Sequence, residues 1–131
     1  MHGFRGKLLR VDLEKEKISE QAVPEDISRN LLGGRGLGAK ILYDELKPGI
    51  VALGPENILL FLTGPLQGSI IPGQTRHVVM AKSPQSNGIG ESHAAGSLGP
   101  EIKYAGYDGI IFRGVAKKPA YLWVHDGQVE L

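Results

Sequence analysis

Ile58-Leu59-Leu60-Phe61-Leu62-Thr63-Gly64-Pro65-Leu66 is the stretch on which the fold turns. Its first five residues are apolar without alternation, which suits a strand buried on both faces. Thr63-Gly64-Pro65 then breaks the run. Upstream, Gly6 to Leu13 reads as a short strand, Glu14 to Lys17 as a charged turn, and Ile18 as the start of the return. Val23-Pro24-Glu25-Asp26 opens a helix that carries Ile27, Leu31 and Leu32 on one face and is capped by Gly33-Gly34. A second helix fits Leu37 to Leu46, stopped by Pro48-Gly49. Downstream, Arg76 to Lys82 is a strand closed by Ser83-Pro84, and Asn87 to Gly99 is a glycine-rich loop leading to a short helix around Glu101 to Tyr104. Gly109 to Phe112 and Ala120 to Val124 are further strands, and Asp126-Gly127 is a hairpin turn before Val129-Glu130-Leu131. This order predicts an α+β fold with mixed β-sheets and a few short helices. Because the last strand has barely begun where the sequence stops, residues 1–131 are expected to be truncated at their C-terminal end, as if cut through a larger domain. The apolar sheet surface so left open would favour self-association.

Composition narrows the function classes. A chain of 131 residues fits one domain. A net charge of +1 offers no basic stripe for nucleic acid, and no apolar run approaches the ~20 residues that span a bilayer. The start, Met1-His2-Gly3-Phe4-Arg5-Gly6, lacks the apolar stretch of a secretory signal, so the cytoplasm is the default location. Glycine, at 19 residues, is about twice its usual ~7% share and gathers in short loops. Cysteine is absent, which removes disulfides, a thiol nucleophile and any thiolate-held iron–sulfur cluster from this segment.

Two glycine-rich constellations could carry chemistry. Gly34-Arg35-Gly36-Leu37-Gly38-Ala39 matches the G-x-G-x-x-A form of a dinucleotide fingerprint. A helix precedes it where the fingerprint needs a strand, and no acid follows about 20 residues on, so a helix–helix turn with close packing is favoured. The second constellation joins Thr63-Gly64-Pro65, Arg76 and the small residues from Ser92 to Gly99. It predicts a shallow surface with backbone donors and one fixed cation, Arg76, whose planar fork suits phosphate or another delocalised anion. On these residues alone the plainer reading, tight turns and a surface salt bridge, is the stronger. Of the four histidines, none is spaced from another as a metal ligand. His77, inside a strand, is expected to be structural, and His93, among the small residues, is open to either role. Tyr104, Tyr107 and Trp123 read as core or half-buried anchors.

Several runs, taken in order, resemble the N-terminal domain of the aldehyde ferredoxin oxidoreductases, tungsten-pterin enzymes that oxidise aldehydes to carboxylic acids. They are Gly6 to Leu13, Leu32-Gly33-Gly34-Arg35-Gly36-Leu37, Leu62 to Leu66, Arg76 with Ala81-Lys82-Ser83-Pro84, and Gly99-Pro100-Glu101-Ile102-Lys103-Tyr104-Ala105-Gly106-Tyr107-Asp108-Gly109. The resemblance implies that the domain is the base on which a tungsten (or molybdenum) bis-pterin cofactor rests. It matches Arg76 to the arginine between pterin and iron–sulfur cluster, and His93-Ala94-Ala95-Gly96 to a loop that touches a pterin through backbone and small side chains. The family pattern in that loop usually reads Asn-Ser-Gly-Gly or similar, so His93 replaces the asparagine and Ala95 the first glycine. The resemblance also implies a 4Fe–4S cluster held by residues outside this segment, ferredoxin as electron acceptor, homo-oligomerisation, and completion by the remainder of the same enzyme. No catalytic residue and no metal ligand is expected among these 131 residues, so the segment alone would be inactive. The competing readings are a stand-alone anion- or nucleotide-binding module without metal chemistry, and an interaction domain with no ligand preference.

Overall fold

The run Ile58–Leu62 is the fourth strand of a six-stranded mixed sheet. The computed structural model describes residues 3–131. In chain order the elements are β1 (Lys7–Asp12), β2 (Lys17–Ala22), α1 (Glu25–Leu31), α2 (Gly34–Glu45), β3 (Ile58–Leu62), β4 (His77–Lys82), β5 (Ile89–Ala94), α3 (Leu98–Tyr104), β6 (Gly109–Arg113), β7 (Trp123–His125) and β8 (Gln128–Glu130). The large sheet runs β2-β1-β6-β3-β4-β5, and β7-β8 form a separate hairpin. β1 and β6 are parallel and every other pairing is antiparallel, which is the α+β architecture with mixed pairing that the order of elements predicts.

Alternation along the strands sorts the core into two layers. Ile58, Leu60, Leu62, Val78, Met80, Leu8 and Ile111 face Leu37, Ile41 and Leu42 of α2. Each such side chain stabilises the fold by roughly 1.5–3 kcal/mol when fully buried. On the opposite face Leu9, Val11, Ile102 and Tyr107 form a second cluster, flanked by Phe61, Ile110, Phe112 and, from the hairpin segment, Leu122, Val124 and Val129. β3 is therefore not buried on both faces: Leu59 is 41% exposed, because the hairpin and α3 only partly cover that side.

Three other expectations are corrected. The first helix ends on Leu32 in the left-handed conformation (φ 56°), not on a glycine, and Gly34 already opens α2. The glycine-rich loop from Asn87 contains a strand, β5, which pairs residue for residue with β4 from His77↔Ala94 to Lys82↔Ile89. Tyr107 is buried, but Tyr104 and Trp123 are 60% and 52% exposed.

Gly99 to Gly109, the longest of the family-like runs, contains a buried clamp. The Asp108 carboxylate accepts the backbone N–H of Gly6 (2.7 Å) and of Arg5 (2.9 Å), and pairs with Lys103 Nζ at 2.5 Å. Lys103 Nζ also donates to the Gly3 carbonyl, and Arg5 Nε to the Lys103 carbonyl. The Asp108 carbonyl in turn accepts from Thr63 N (3.0 Å) and Thr63 Oγ1 (2.7 Å). One residue thus ties the start of β1, the α3–β6 turn and the end of β3 together, with its charge paired and hydrogen-bonded as burial demands.

Candidate functional site

The end of the sheet where β3 stops and β4 starts gathers the residues singled out in the sequence. Thr63, fixed by Asp108, accepts the Gly34 N–H through its carbonyl at 2.9 Å, and so docks the first turn of α2 on the end of β3. Gly33 stands between them at φ 74°, where a Cβ would strike the Thr63 carbonyl oxygen; only glycine allows both. Beyond Thr63, Gln67 Oε1 accepts the Gly64 N–H at 2.8 Å and shapes the connection to β4.

Arg76 is the residue immediately before β4, and its neighbour His77 pairs with Ala94 at the last position of β5. Arg76 therefore stands beside the point where β5 gives way to Ala95 and Gly96. Arg76 is exposed, and among the described residues no carboxylate lies within ion-pairing distance of it. Each of the other arginines has a protein partner. Arg5 holds the Lys103 carbonyl, Arg10 and Arg113 share Glu45, Arg29 pairs with Glu25, and Arg35 with Glu91.

His93 lies on β5 and not in a loop. In the β4–β5 register it opposes Val78, and Glu91 opposes Met80. Val78 and Met80 are core residues beneath α2, so Glu91 and His93 occupy the α2 face of an edge strand. Arg35, the second residue of α2, reaches both. Its Nη2 is 2.5 Å from Glu91 Oε1 and 3.4 Å from His93 Nε2. Ala94, Ala95 and Gly96 are exposed, and nothing stands within 4 Å of the place a Gly96 Cβ would take. The residues from 93 to 96 and Arg76 are thus neighbours, and what they offer is a guanidinium, an imidazole and unobstructed backbone. Such a set fits a flat, oxygen-rich anion. Among the described residues no three His, Asp or Glu side chains converge as a metal site.

The G-x-G-x-x-A segment has a packing use. A Cβ on Gly36 would collide with the Leu31 carbonyl oxygen, and one on Gly38 with Met80 and Leu62; the glycines let α2 approach α1 and the sheet. His77 is buried, its Nδ1 without a partner, and burial lowers its pKa from the ordinary value. Tyr107 is pushed up to about 12 by burial, helped by its hydrogen bond to Glu20. Glu20 is held low by hydrogen bonds from Lys7 and Tyr107. The bonds from Asp108 to Arg5 and Gly6, and the pairing of Arg35 with Glu91, have no local sequence signal, since those partners are far apart in the chain.

The family model for the N-terminal domain of aldehyde ferredoxin oxidoreductase matches residues 8–131. The chain belongs to that family. Members and neighbours similar to this domain do different chemistry. It is 49% identical to the aliphatic sulfonate oxidoreductase WOR-like subunit of Pyrococcus furiosus, over 100% of this chain and 21% of the relative. It is 41% identical to the tungsten-containing aldehyde ferredoxin oxidoreductase of Pyrococcus abyssi, over 100% of this chain and 22% of that enzyme. Among solved structures, the active site complex BamBC of benzoyl coenzyme A reductase, with 1,5-dienoyl-CoA, superposes with a TM-score of 0.95 at 40% identity, over 98% of this chain and 20% of that one. The aldehyde ferredoxin oxidoreductase domain described here therefore spans about a fifth of the length of these relatives. Among the described residues no helix is long and apolar enough to cross a membrane.

Proposed function

We infer that this domain is the base for a tungsten or molybdenum bis-pterin cofactor in an oxidoreductase that converts aldehydes to carboxylic acids and passes electrons to ferredoxin. The observation that carries the reading is Arg76, exposed and without a carboxylate beside residues 93–96, while each other arginine is engaged within the domain. An exposed guanidinium without a carboxylate is free to pair with an anionic ligand. Arg76 would bind an anionic arm through its planar fork. His93 would supply one ring donor, and Ala94, Ala95 and Gly96 would let backbone amides approach without side-chain obstruction. The cofactor, when bound, supplies a metal that accepts the two electrons of the oxidation. A 4Fe–4S cluster for onward transfer needs thiolates that this cysteine-free chain lacks, so the remainder of the enzyme would carry it.

The domain does none of this chemistry alone, since its part is to hold and orient. Aldehyde-dependent reduction of a viologen dye by the full-length protein tests the reading, with the 131-residue chain as control. The expected result is reduction by the former and none by the latter. Turnover by the pure short chain would overturn this account of the site. A second substrate class is favoured by the 49% identity to the sulfonate oxidoreductase subunit. The same assay with aliphatic sulfonates separates the two, because the better substrate is the one giving the higher kcat/KM.

A further inference from the structure

We propose that Arg35, braced by Glu91, is a positioning residue for His93. It holds His93 Nε2 as an acceptor and leaves the ring proton on Nδ1, so that this part of the site offers its anion a single ring N–H donor. The inference rests on reading residues 93–96 as anion-facing.

The argument begins with what a guanidinium can do. Arginine has only donors, so its approach to His93 Nε2 at 3.4 Å is attractive only if that nitrogen presents its lone pair. A ring accepting at Nε2 carries its one proton on Nδ1. Glu91 makes the arrangement specific. Its carboxylate holds Arg35 Nη2 at 2.5 Å but stands 3.9 Å from His93 Nε2, beyond hydrogen-bond length. The carboxylate therefore anchors the arginine, and the arginine addresses the ring. The backbone fixes the frame. Thr63 seats the start of α2, and the β4–β5 ladder holds Glu91 and His93 on the face that α2 covers. His93 keeps 39% of its side chain exposed, and Nδ1 has no protein partner among the described residues, so the remaining donor is free for a ligand oxygen one residue before the small-residue turn.

Long-range proton–nitrogen correlation spectra of the chain with labelled histidine read the tautomer directly, and His93→Asn identifies the signals. At a pH where the ring carries a single proton, the expected result is Nε2 unprotonated and Nδ1 protonated. Arg35→Gln and Glu91→Gln should each shift it towards the Nε2–H form that imidazole favours in water. Both substitutions are at the surface, so the amide signals of Leu60 and Met80 should stay in place, which separates a lost latch from a lost fold. An Nε2–H ring in the unaltered chain, or a tautomer indifferent to both substitutions, would overturn the proposal. Inorganic pyrophosphate then tests the reading beneath it and should move the His93 Nδ1 and Arg76 side-chain signals. If the tautomer is as expected but pyrophosphate moves neither, the latch is upheld and the anion-facing role of residues 93–96 is the part that fails.

Discussion

Asp108 binds two backbone N–H groups and Lys103 Nζ in a site from which water is excluded. Asp108→Ala would leave Lys103 charged and unpaired and would orphan the N–H groups of Arg5 and Gly6. We expect it to cost about 3–5 kcal/mol in urea unfolding, the range for breaking a buried ion pair, and a loss below about 1 kcal/mol would refute the clamp. His77 supplies a second test at this scale. Burial lowers its pKa, so the folded chain resists a proton that the unfolded chain accepts. Stability is then full above the unfolded value of about 6.5 and falls as pH drops through the lower folded value. Urea midpoints taken on either side of that value should show the fall, and His77→Phe should flatten it. His93 was singled out because its neighbours in sequence are small and glycine-rich, and Arg76 because it follows Pro72-Gly73 into a strand. The clamp was not, because Asp108 meets Arg5 across 103 positions of chain and nothing local marks either partner.

At the level of elements, the strands with branched or apolar runs were readable, and the one without them was not. β5 reads Ile-Gly-Glu-Ser-His-Ala and is exposed along most of its length. It is a strand because β4 supplies a full ladder and because Ser83 and Gly88 close a tight turn, Ser83 N–H to Gly88 carbonyl at 2.8 Å. Asn87-Gly88 in that turn was the available signal. The α1–α2 junction was legible as a close helix–helix turn, though its cap was misplaced by the glycine pair. That reading makes a prediction against simple propensity. Gly36→Ala should gain up to about 1 kcal/mol as a helix substitution, yet its Cβ meets the Leu31 carbonyl oxygen. Net destabilisation of about 1–3 kcal/mol is expected from the forced backbone shift, measurable by thermal or urea unfolding. A gain in stability would mean that α1 can move away freely.

Across the whole molecule, the sheet has one face closed by α2 and one only partly closed. Between α3 and the β7–β8 hairpin lies an open cavity of about 670 Å³, bordered by Leu98, Tyr104, Phe112, Leu122 and Trp123. An isolated chain exposing that surface should self-associate as its concentration rises. Sedimentation velocity showing a clean monomer at high concentration would count against this. Fold class and family were legible because ordered motifs run along almost the whole chain. The substrate was not, because the domain spans only about a fifth of its relatives.

The central claim is that Arg76 serves a cofactor anion and not the fold. The most direct measurement is the tungsten or molybdenum and pterin content of full-length protein carrying Arg76→Ala or Arg76→Lys, alongside its unfolding midpoint. With no carboxylate partner to lose, Arg76→Ala should change stability by no more than about 0.5 kcal/mol. Metal and pterin should fall well below the unaltered protein, and lysine should restore little because it lacks the planar fork. Full cofactor content in Arg76→Ala would contradict the account.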